Sequence, residues 1–557
     1  MNSITLQNNK LIINFKFDPF IVSKIRTIDG RFWNSNLKRW EAPLENVEEV
    51  LNVLIPLNFS VSDEVSRYRR VEKEKMDGIL AIKNNDSAVY EGNLPLHDFQ
   101  KKGAMFLKQM PNALLGDVPG LGKTIQVLAA TEQDSHILIF TMNTLKYNMS
   151  GEIEKWFPGA KVLVINGNKQ QRTEQWTLYA KKNKYVVANY ELLVHDFDII
   201  SKFKWATIVC DEATRISNPE AISSKNLKKL ESIKRIALSG TPVSNSPIDI
   251  FGIFDFLVPK YLGTFYQFKD KYCVTDPRFN NVVGYKNMSE LSEKVNRFML
   301  RRKKEEVFKD LPSKIVENVI FQLSDTEKKL YKSVKERIVA EIQELSDMDT
   351  KNLNVVPVKM LRLKQCTNHT RLIGDLACDG KGESSKLEAL KSILEPIIAS
   401  GGKAIVFTQF AECLHILAEE LEAYRPICVY GAVDSADRMK LVKEFNDDPE
   451  PRIAIFTEAG AYGLNMKSAS YVIHYDSPWS IAKLEQREGR ADRSADKRIG
   501  GELPVTVYNL IAKDTIDEYI LKVLARKNKV SVDILQDSIR LEEQGMSQED
   551  IDEILRL

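Results

Sequence analysis

The stretch Gly116-Asp-Val-Pro-Gly-Leu-Gly-Lys-Thr124 constrains this chain more than any other. It follows an apolar run and leads into the helical pattern Ile125–Ala130. Glycines there let backbone N–H groups wrap a phosphate chain, Lys123 reaches the β/γ-phosphates, and the Thr124 hydroxyl suits Mg²⁺. One position departs from the general spelling of such a loop: Asp117 stands where the first glycine is usual.

Beyond that loop, short β-branched runs alternate with helical patterns. His136–Thr141, Tyr185–Tyr190, Ala206–Asp211 and Ile233–Ser239 read as buried strands. The pattern restarts at Lys403–Thr408, Pro426–Tyr430, Arg452–Thr457, Tyr471–Asp476 and Val505–Leu510, with no second phosphate loop. Such alternation predicts α/β architecture with two parallel sheets covered by helices. Between the two series lies a helix-forming, charged stretch from about Pro247 to Gly382, in which Asp310-Leu-Pro-Ser313 reads as the linker between lobes. Residues 1 to about 62 show short alternating strands, Arg67–Lys75 reads as a solvated connector, and the tail after Thr515 reads as helical.

A chain of 557 residues implies about three or four domains. The 79 Lys and Arg nearly balance the 77 Asp and Glu, so any nucleic-acid surface must be a local patch. No apolar run approaches the roughly 20 residues of a membrane span, and the N-terminus lacks a signal-peptide pattern. A cytosolic protein is expected, bacterial or phage and nucleoid-associated, or nuclear in a eukaryote. Six scattered cysteines without a C-x-x-C argue for buried thiols rather than disulfides or zinc.

Three further motifs carry chemistry. Asp211-Glu-Ala-Thr214 ends a strongly apolar strand, where Asp211 suits Mg²⁺ and Glu212 an attacking water; alone, the pair would be a solvated loop. Ser239-Gly-Thr-Pro242 is ordinary turn chemistry by itself, but after a strand of this series it could sense the γ-phosphate. In Gln486-Arg-Glu-Gly-Arg-Ala-Asp-Arg493, Arg490 and Arg493 would share a helical face. They are either a salt-bridged surface or a pair of arginine fingers, which can be worth about 10³–10⁵ in rate.

From about Leu94 to Lys529 the ordered motifs resemble the Swi/Snf-related, double-stranded-DNA translocases of helicase superfamily two. Leu96-His-Asp-Phe-Gln100 resembles the Q-motif, and Leu145–Asn148 with Glu154–Trp156 the motif Ia region. Phe298–Lys303, Leu361–His369 and Ser385-Lys386 are similar to signature blocks, Ala459–Asn465 to motif V, and Asp476–Trp479 to a block whose tryptophan approaches DNA. Asp117 matches a family spelling. Val118, Pro119, Thr214, Ser480, Ile481 and Ser494-Ala-Asp496 depart from it.

The resemblance implies two RecA-like parallel-sheet lobes with helical insertions, a small α+β N-terminal domain and a helical C-terminal brace. The expected boundaries are 1–62 (accessory domain), 63–90 (linker), 91–312 (first lobe, with a helical protrusion at about 247–305), 313–384 (linker and helical protrusion), 385–512 (second lobe) and 513–557 (brace). ATP and Mg²⁺ are the implied cofactors, in a DNA-dependent ATPase. Catalysis falls to Lys123, Asp211, Glu212, Arg490 and Arg493. ATP binding falls to Gln100, Asp117, Pro119, Gly120, Leu121, Gly122, Lys123, Thr124, Gly463 and Gln486, and Mg²⁺ to Thr124 and Asp211. Thr214, Ser239, Gly240 and Thr241 would couple the nucleotide to motion.

The partner implied is duplex or branched DNA, bound largely without regard to sequence by a monomer, through Lys146, Tyr190, Arg215, Gln409, Phe410, Asn465 and Trp479. Remodelling, rewinding or displacement of material from DNA would follow. A strand-separating DNA or RNA helicase and an ATP-gated DNA clamp with little turnover remain alternatives. Phe17–Ile25, Gly30–Trp33 and Lys38–Pro43 are similar to a HARP domain, which implies branched DNA. There Lys24, Arg26, Arg31, Lys38 and Arg39 would meet phosphates beside stacking aromatics, unless Trp33 and Trp40 simply fill a core.

Overall fold

The computed structural model describes residues 2–84, 90–243, 246–275, 282–308, 314–346, 355–376, 382–461, 464–491 and 505–535. The expected linker at Asp310–Ser313 lies outside them, as do Ser494–Asp496 and the end of the tail. The chain divides into two compact units, mainly residues 1–303 and 304–530.

The first unit opens with a five-stranded sheet: β1 (Ser3–Gln7), β2 (Lys10–Asn14), β3 (Phe32–Asn34), β4 (Arg39–Pro43) and β5 (Ser60–Val61), in the order β3-β4-β2-β1-β5. Asn8 and Asn9 both take positive φ (50° and 57°), the two-residue hairpin turn that matches strand twist. Helices Pro19–Ile25 and Val47–Leu54 cover one face, enclosing Ile4, Leu11, Ile13, Ile25, Val50 and Leu54. Trp40 packs beside this core, whereas Trp33 is 50% exposed with its ring 5.6 Å from that of Trp40.

The solvated connector expected at Arg67–Lys75 is instead part of one helix, Asp63–Asn84, whose Val65, Ile79 and Ile82 are buried. Ion pairing fixes it: Arg69 forks onto Glu48 at 2.8 and 2.9 Å, and Glu72 receives Arg297 at 3.0 Å. Lys83 donates to the carbonyls of Asn296 and Met299.

The second sheet of this unit contains β6 (Asn112–Leu115), β7 (Ile137–Thr141), β8 (Val162–Val164), β9 (Tyr185–Asn189), β10 (Lys204–Cys210) and β11 (Glu231–Leu238). After an excursion through helices Pro247–Leu257 and Phe265–Tyr272, the hairpin β12 (Cys273–Thr275) with β13 (Val282–Tyr285), and helix Met288–Phe298, the chain returns as β14 (Met299–Leu300). The order is β14-β6-β11-β10-β7-β9-β8, and every pairing is parallel. The interior strands β7 and β9 are buried along their whole length, as helices on both faces of a parallel sheet require.

The N-terminal domain is anchored to the helical excursion through Asp29. This buried carboxylate accepts from Lys271 (3.0 Å), Lys294 and the Tyr272 hydroxyl (3.4 Å), while Lys294 also reaches Glu49 at 2.8 Å. Asn46 donates to the carbonyls of Asp29 and Tyr261. Gly30, at φ +68°, lies so close to the Lys260 carbonyl that a Cβ would meet it at 2.2 Å.

The second unit holds β15 (Ile315–Phe321), β16 (Ala404–Thr408), β17 (Ile427–Val429), β18 (Ile453–Thr457), β19 (Tyr471–His474) and β20 (Thr506–Ala512). They form an all-parallel sheet in the order β15-β20-β19-β16-β18-β17. β15 corrects an expectation, because residues 313–384 were read as linker and helices. Its mostly exposed residues leave little apolar patterning, and pairing with β20 over seven positions makes it a strand. The fold is therefore α/β with two parallel-sheet lobes, helical insertions and a small α+β N-terminal domain.

Asp29→Ala would leave Lys271 and Lys294 facing a partly buried void. Because both lysines retain some water, a loss of about 2 kcal/mol is expected, measurable as an earlier denaturant midpoint and faster proteolytic release of the N-terminal domain.

Candidate nucleotide site and the polar core of the second unit

A parallel sheet binds ligands beyond the carboxyl ends of its strands. Here β6, β11 and β10 are consecutive neighbours. Their carboxyl ends lead into Gly116–Thr124, Ser239–Pro242 and Asp211–Thr214 respectively, so three motifs far apart in sequence share one edge. Gly120 (φ +92°) and Gly122 (φ +69°) give the loop its left-handed bends. Gly122 opens helix Lys123–Ala130 with no side-chain cap, which leaves a helix N-terminus suited to anionic oxygen. Gly240 sits against Pro119, whose ring a Cβ would meet at 2.8 Å.

Lys123 donates to the Asp117 carbonyl at 2.9 Å. Burial lowers its pKa, and Glu212, Asp117 and Asp211 oppose that shift, in order of strength. Asp211 is pushed the other way: burial first, then the Glu212 charge, raises its pKa. Thr141 holds one Asp211 oxygen at 2.9 Å, and the Tyr190 hydroxyl donates to the Asp211 carbonyl at 2.6 Å. Glu212 takes φ +51°, ψ 55°, a costly conformation for a residue with a Cβ and one found disproportionately at functional sites. Ser239 and Thr241 are buried, and the Ser239 hydroxyl accepts from the Thr241 N–H. Thr214 is half-buried in the short turn that follows Glu212.

An Mg²⁺ ion suits this donor set, since Thr124 and Asp211 offer hard oxygen and the ion keeps most of its waters. Among the described residues no cluster of three or more His, Cys, Asp or Glu competes for a metal. Gln100 begins a helix, accepting from the His97 N–H at 3.1 Å and donating to the Leu121 carbonyl at 3.3 Å, so the adenine-reading candidate rests against the phosphate loop.

Two readings are corrected. Lys146, expected on DNA, is 2% exposed and donates to the Ile165 carbonyl and the Asn189 side chain. Tyr190 is 6% exposed and supports Asp211 from beneath. Tyr190 directly follows a strand and Lys146 opens the helix Lys146–Trp156, positions where sequence alone does not set whether a side chain points inward. Arg215 is exposed. The wholly buried carboxylate of Asp117 pairs with Arg302. Arg302 and Thr141 were missed as contributors; the tandem Arg301-Arg302 after an apolar run was the available signal.

In the second unit a buried carboxylate, Asp476, organises the carboxyl edge of the sheet. It accepts from Asn368 (2.9 Å), Thr408 (2.7 Å) and the Gln409 N–H, with Lys364 at 3.3 Å and Arg487 at 3.8 Å. Burial alone would raise its pKa, but Lys364, Arg487 and these hydrogen bonds outweigh it and hold the group ionised. Lys364 also donates to the Gln409 side chain at 2.8 Å. Phe410 packs on one core, and Trp479 lies beside another, its ring 6.4 Å from Tyr519. Asn465 is exposed.

Helix Ile481–Glu488, carrying Gln486, is anchored by Arg487, which donates to the Asp476 carbonyl and to Glu458. The helix stops before Gly489, so Arg490 belongs to a 3₁₀ turn (Gly489–Ala491) rather than to the helical face expected; it donates to the Leu464 carbonyl at 3.2 Å. Arg493 and Gly463 lie outside the described residues.

One parallel-sheet unit with a phosphate loop, followed by a second without one, defines a P-loop protein of the two-lobe helicase class. A model of the SNF2-related domain matches residues 30–372, more than half of the chain, and one of the helicase conserved C-terminal domain matches residues 385–495. The chain belongs to the SNF2-related family. It is 29% identical to an uncharacterized ATP-dependent helicase of Mycoplasma genitalium over 85% of this chain and 46% of that one. It is likewise 29% identical to the putative ATP-dependent helicase/translocase YwqA of Bacillus subtilis, over 83% and 51%. The chain spans about half the length of the curated relatives it matches. Among solved structures, the Sulfolobus solfataricus SWI2/SNF2 ATPase core in complex with dsDNA is 26% identical, covering 82% of this chain and 99% of that one with a TM-score of 0.38. At that score, the fold assignment rests on the sheets themselves.

Replacing Asp476 by Ala would strand Lys364, which has no exposed side-chain surface, without its carboxylate. A destabilisation of about 3–5 kcal/mol is expected, read as the lowered midpoint of the second unit's denaturant transition, with a smaller loss for Asp476→Asn.

Proposed function

We propose that the protein is an ATP-driven translocase on double-stranded DNA. The convergence of Lys123, Thr124, Asp211 and Glu212 on one sheet edge, in a chain of the SNF2-related family, carries this reading. The similarity to a putative ATP-dependent helicase/translocase of Bacillus subtilis supports it.

Lys123 would meet the β/γ-phosphates after leaving the Asp117 carbonyl, and the uncapped helix start would donate N–H groups to the phosphate oxygens. Thr124 and Asp211 would hold Mg²⁺. That ion, when bound, neutralises charge on the phosphates. Glu212, set by its left-handed backbone, would orient the attacking water. Arg490, with Arg493, would supply positive charge to the transferring phosphoryl group. Gln100 would read the base, Gly463 and Gln486 would also contact ATP, and Ser239–Thr241 with Thr214 would relay the nucleotide state.

DNA contacts would come from Arg215, Gln409, Phe410, Asn465 and Trp479 and be mostly phosphate-directed. The N-terminal domain adds a preference for forked or branched DNA. Phe17, 79% exposed, and Trp33 stand out as stacking surfaces near Lys24, Arg26, Lys38 and Arg39. Strand separation is less favoured, because motif II is not Asp-Glu-Ala-Asp and motif VI begins with Gln486.

ATP hydrolysis should rise with duplex DNA and fall at least about 100-fold in Glu212→Gln, with Lys123→Ala inactive. DNA affinity should drop steeply between low and moderate salt. Unstimulated turnover would sink the translocase reading. Trp33→Ala with Phe17→Ala should erase any preference for forks over linear duplex while leaving linear-duplex stimulation intact; an unchanged preference would remove the N-terminal domain from substrate choice.

A further inference from the structure

Asp117 poses an electrostatic problem. A carboxylate inside a loop that wraps a polyanionic triphosphate would repel it unless neutralised. The structure supplies the neutralising group. Arg302 donates through Nε to one Asp117 oxygen at 3.0 Å and through Nη2 to the other, a fork that holds the carboxylate plane. Gln126 donates to Asp117 at 3.1 Å and accepts from Arg302 at 2.7 Å, and Arg302 also donates to the Phe99 carbonyl. The cluster thereby ties together the helix carrying Gln100, the phosphate loop and the helix that follows it. Space is made by Gly103, where a Cβ would collide with Gln126 Oε1 and approach Arg302 Nη2 at 2.8 Å.

The arginine is itself held in register. The Gly116 N–H donates to the Leu300 carbonyl, and the Val118 N–H to that of Arg302, so β14 runs on beside the start of the loop. Its neighbour Arg301 grips the carbonyls of Gly116 and Gly240, each at 2.7 Å. Consecutive side chains thus serve opposite sides of an extended segment.

We propose that Asp117 and Arg302 form a positioning pair for ATP. Arg302 cancels the loop's carboxylate, and the fork presets the loop in the open shape that a first glycine would otherwise permit. This rests on reading the loop as an ATP site. Both side chains are engaged with each other and with Gln126, so the pair governs affinity rather than turnover.

The test is Mg-ATP affinity, followed with a fluorescent non-hydrolysable ATP analogue, together with KM and kcat under duplex-DNA stimulation. Arg302→Gln should weaken binding and raise KM about tenfold, the value of losing one charge-assisted pair, with kcat within about twofold. Arg302→Lys keeps the charge but not the fork and should fall between it and wild type. Adding Asp117→Asn to Arg302→Gln removes the uncancelled charge and should recover part of the affinity. A merely structural role would lower the melting temperature and leave this order absent. Wild-type affinity in Arg302→Gln, or loss of kcat at unchanged KM, overturns the proposal. Should Arg302→Gln fail to fold, Arg302→Lys decides: affinity within about twofold of wild type overturns it. A wild-type protein that binds no Mg-ATP would overturn the ATP reading and this inference together, whereas tight wild-type binding unchanged in every variant overturns the inference alone.

Discussion

A charge that cannot stay where it is unless another charge follows it inward organises the first unit. Asp117 is buried in the loop that leaves β6, and burial of an isolated carboxylate costs several kcal/mol. Arg302 meets that requirement from the segment leaving β14, at the edge of the same sheet. Because the same arginine also reaches the Phe99 carbonyl and Gln126, the neutralising contact is a mechanical one as well. The loop's shape, the helix before it and the strand that closes the sheet are settled together.

The second unit repeats the device at its own sheet edge. Asp476 is held ionised by Lys364 and Arg487, and its remaining capacity is filled by Asn368, Thr408 and the Gln409 backbone. Buried ion pairs are a poor source of net stability, since desolvation offsets most of their attraction. Their geometric specificity is the firmer gain: Gln409, the strand end at Asp476 and the helix carrying Gln486 are fixed around one group. The N-terminal domain uses the same chemistry at Asp29, making the chain's most independent-looking segment part of the first unit's fabric.

Much of this was legible in advance because the buried parallel strands are short, apolar but for their last residue, and separated by helical patterns. β7, β9, β16 and β18 fall within a residue or so of their expected limits for that reason. β15 and β14 were not read as strands. One is an exposed edge without alternation and the other only two residues long, and both exist because a neighbouring strand offers its hydrogen-bonding groups. The connector at Arg67–Lys75 hid a helix because its mostly exposed charges leave little apolar periodicity, while the tertiary partners of Arg69 and Glu72, Glu48 and Arg297, lie far away in sequence.

The motifs followed the same division. Residue type and spacing determined that this chain has one phosphate loop, with an acidic pair after a buried strand, since that chemistry is carried by local backbone and side-chain type. Tertiary structure alone decided which side chains face the work. It turned Lys146 and Tyr190 inward, buried Asp117, and recruited Arg302 from 185 residues away to pair with it. The direction of a side chain beyond a strand end depends on what lies across from it, and that partner is brought there only by the folded sheet.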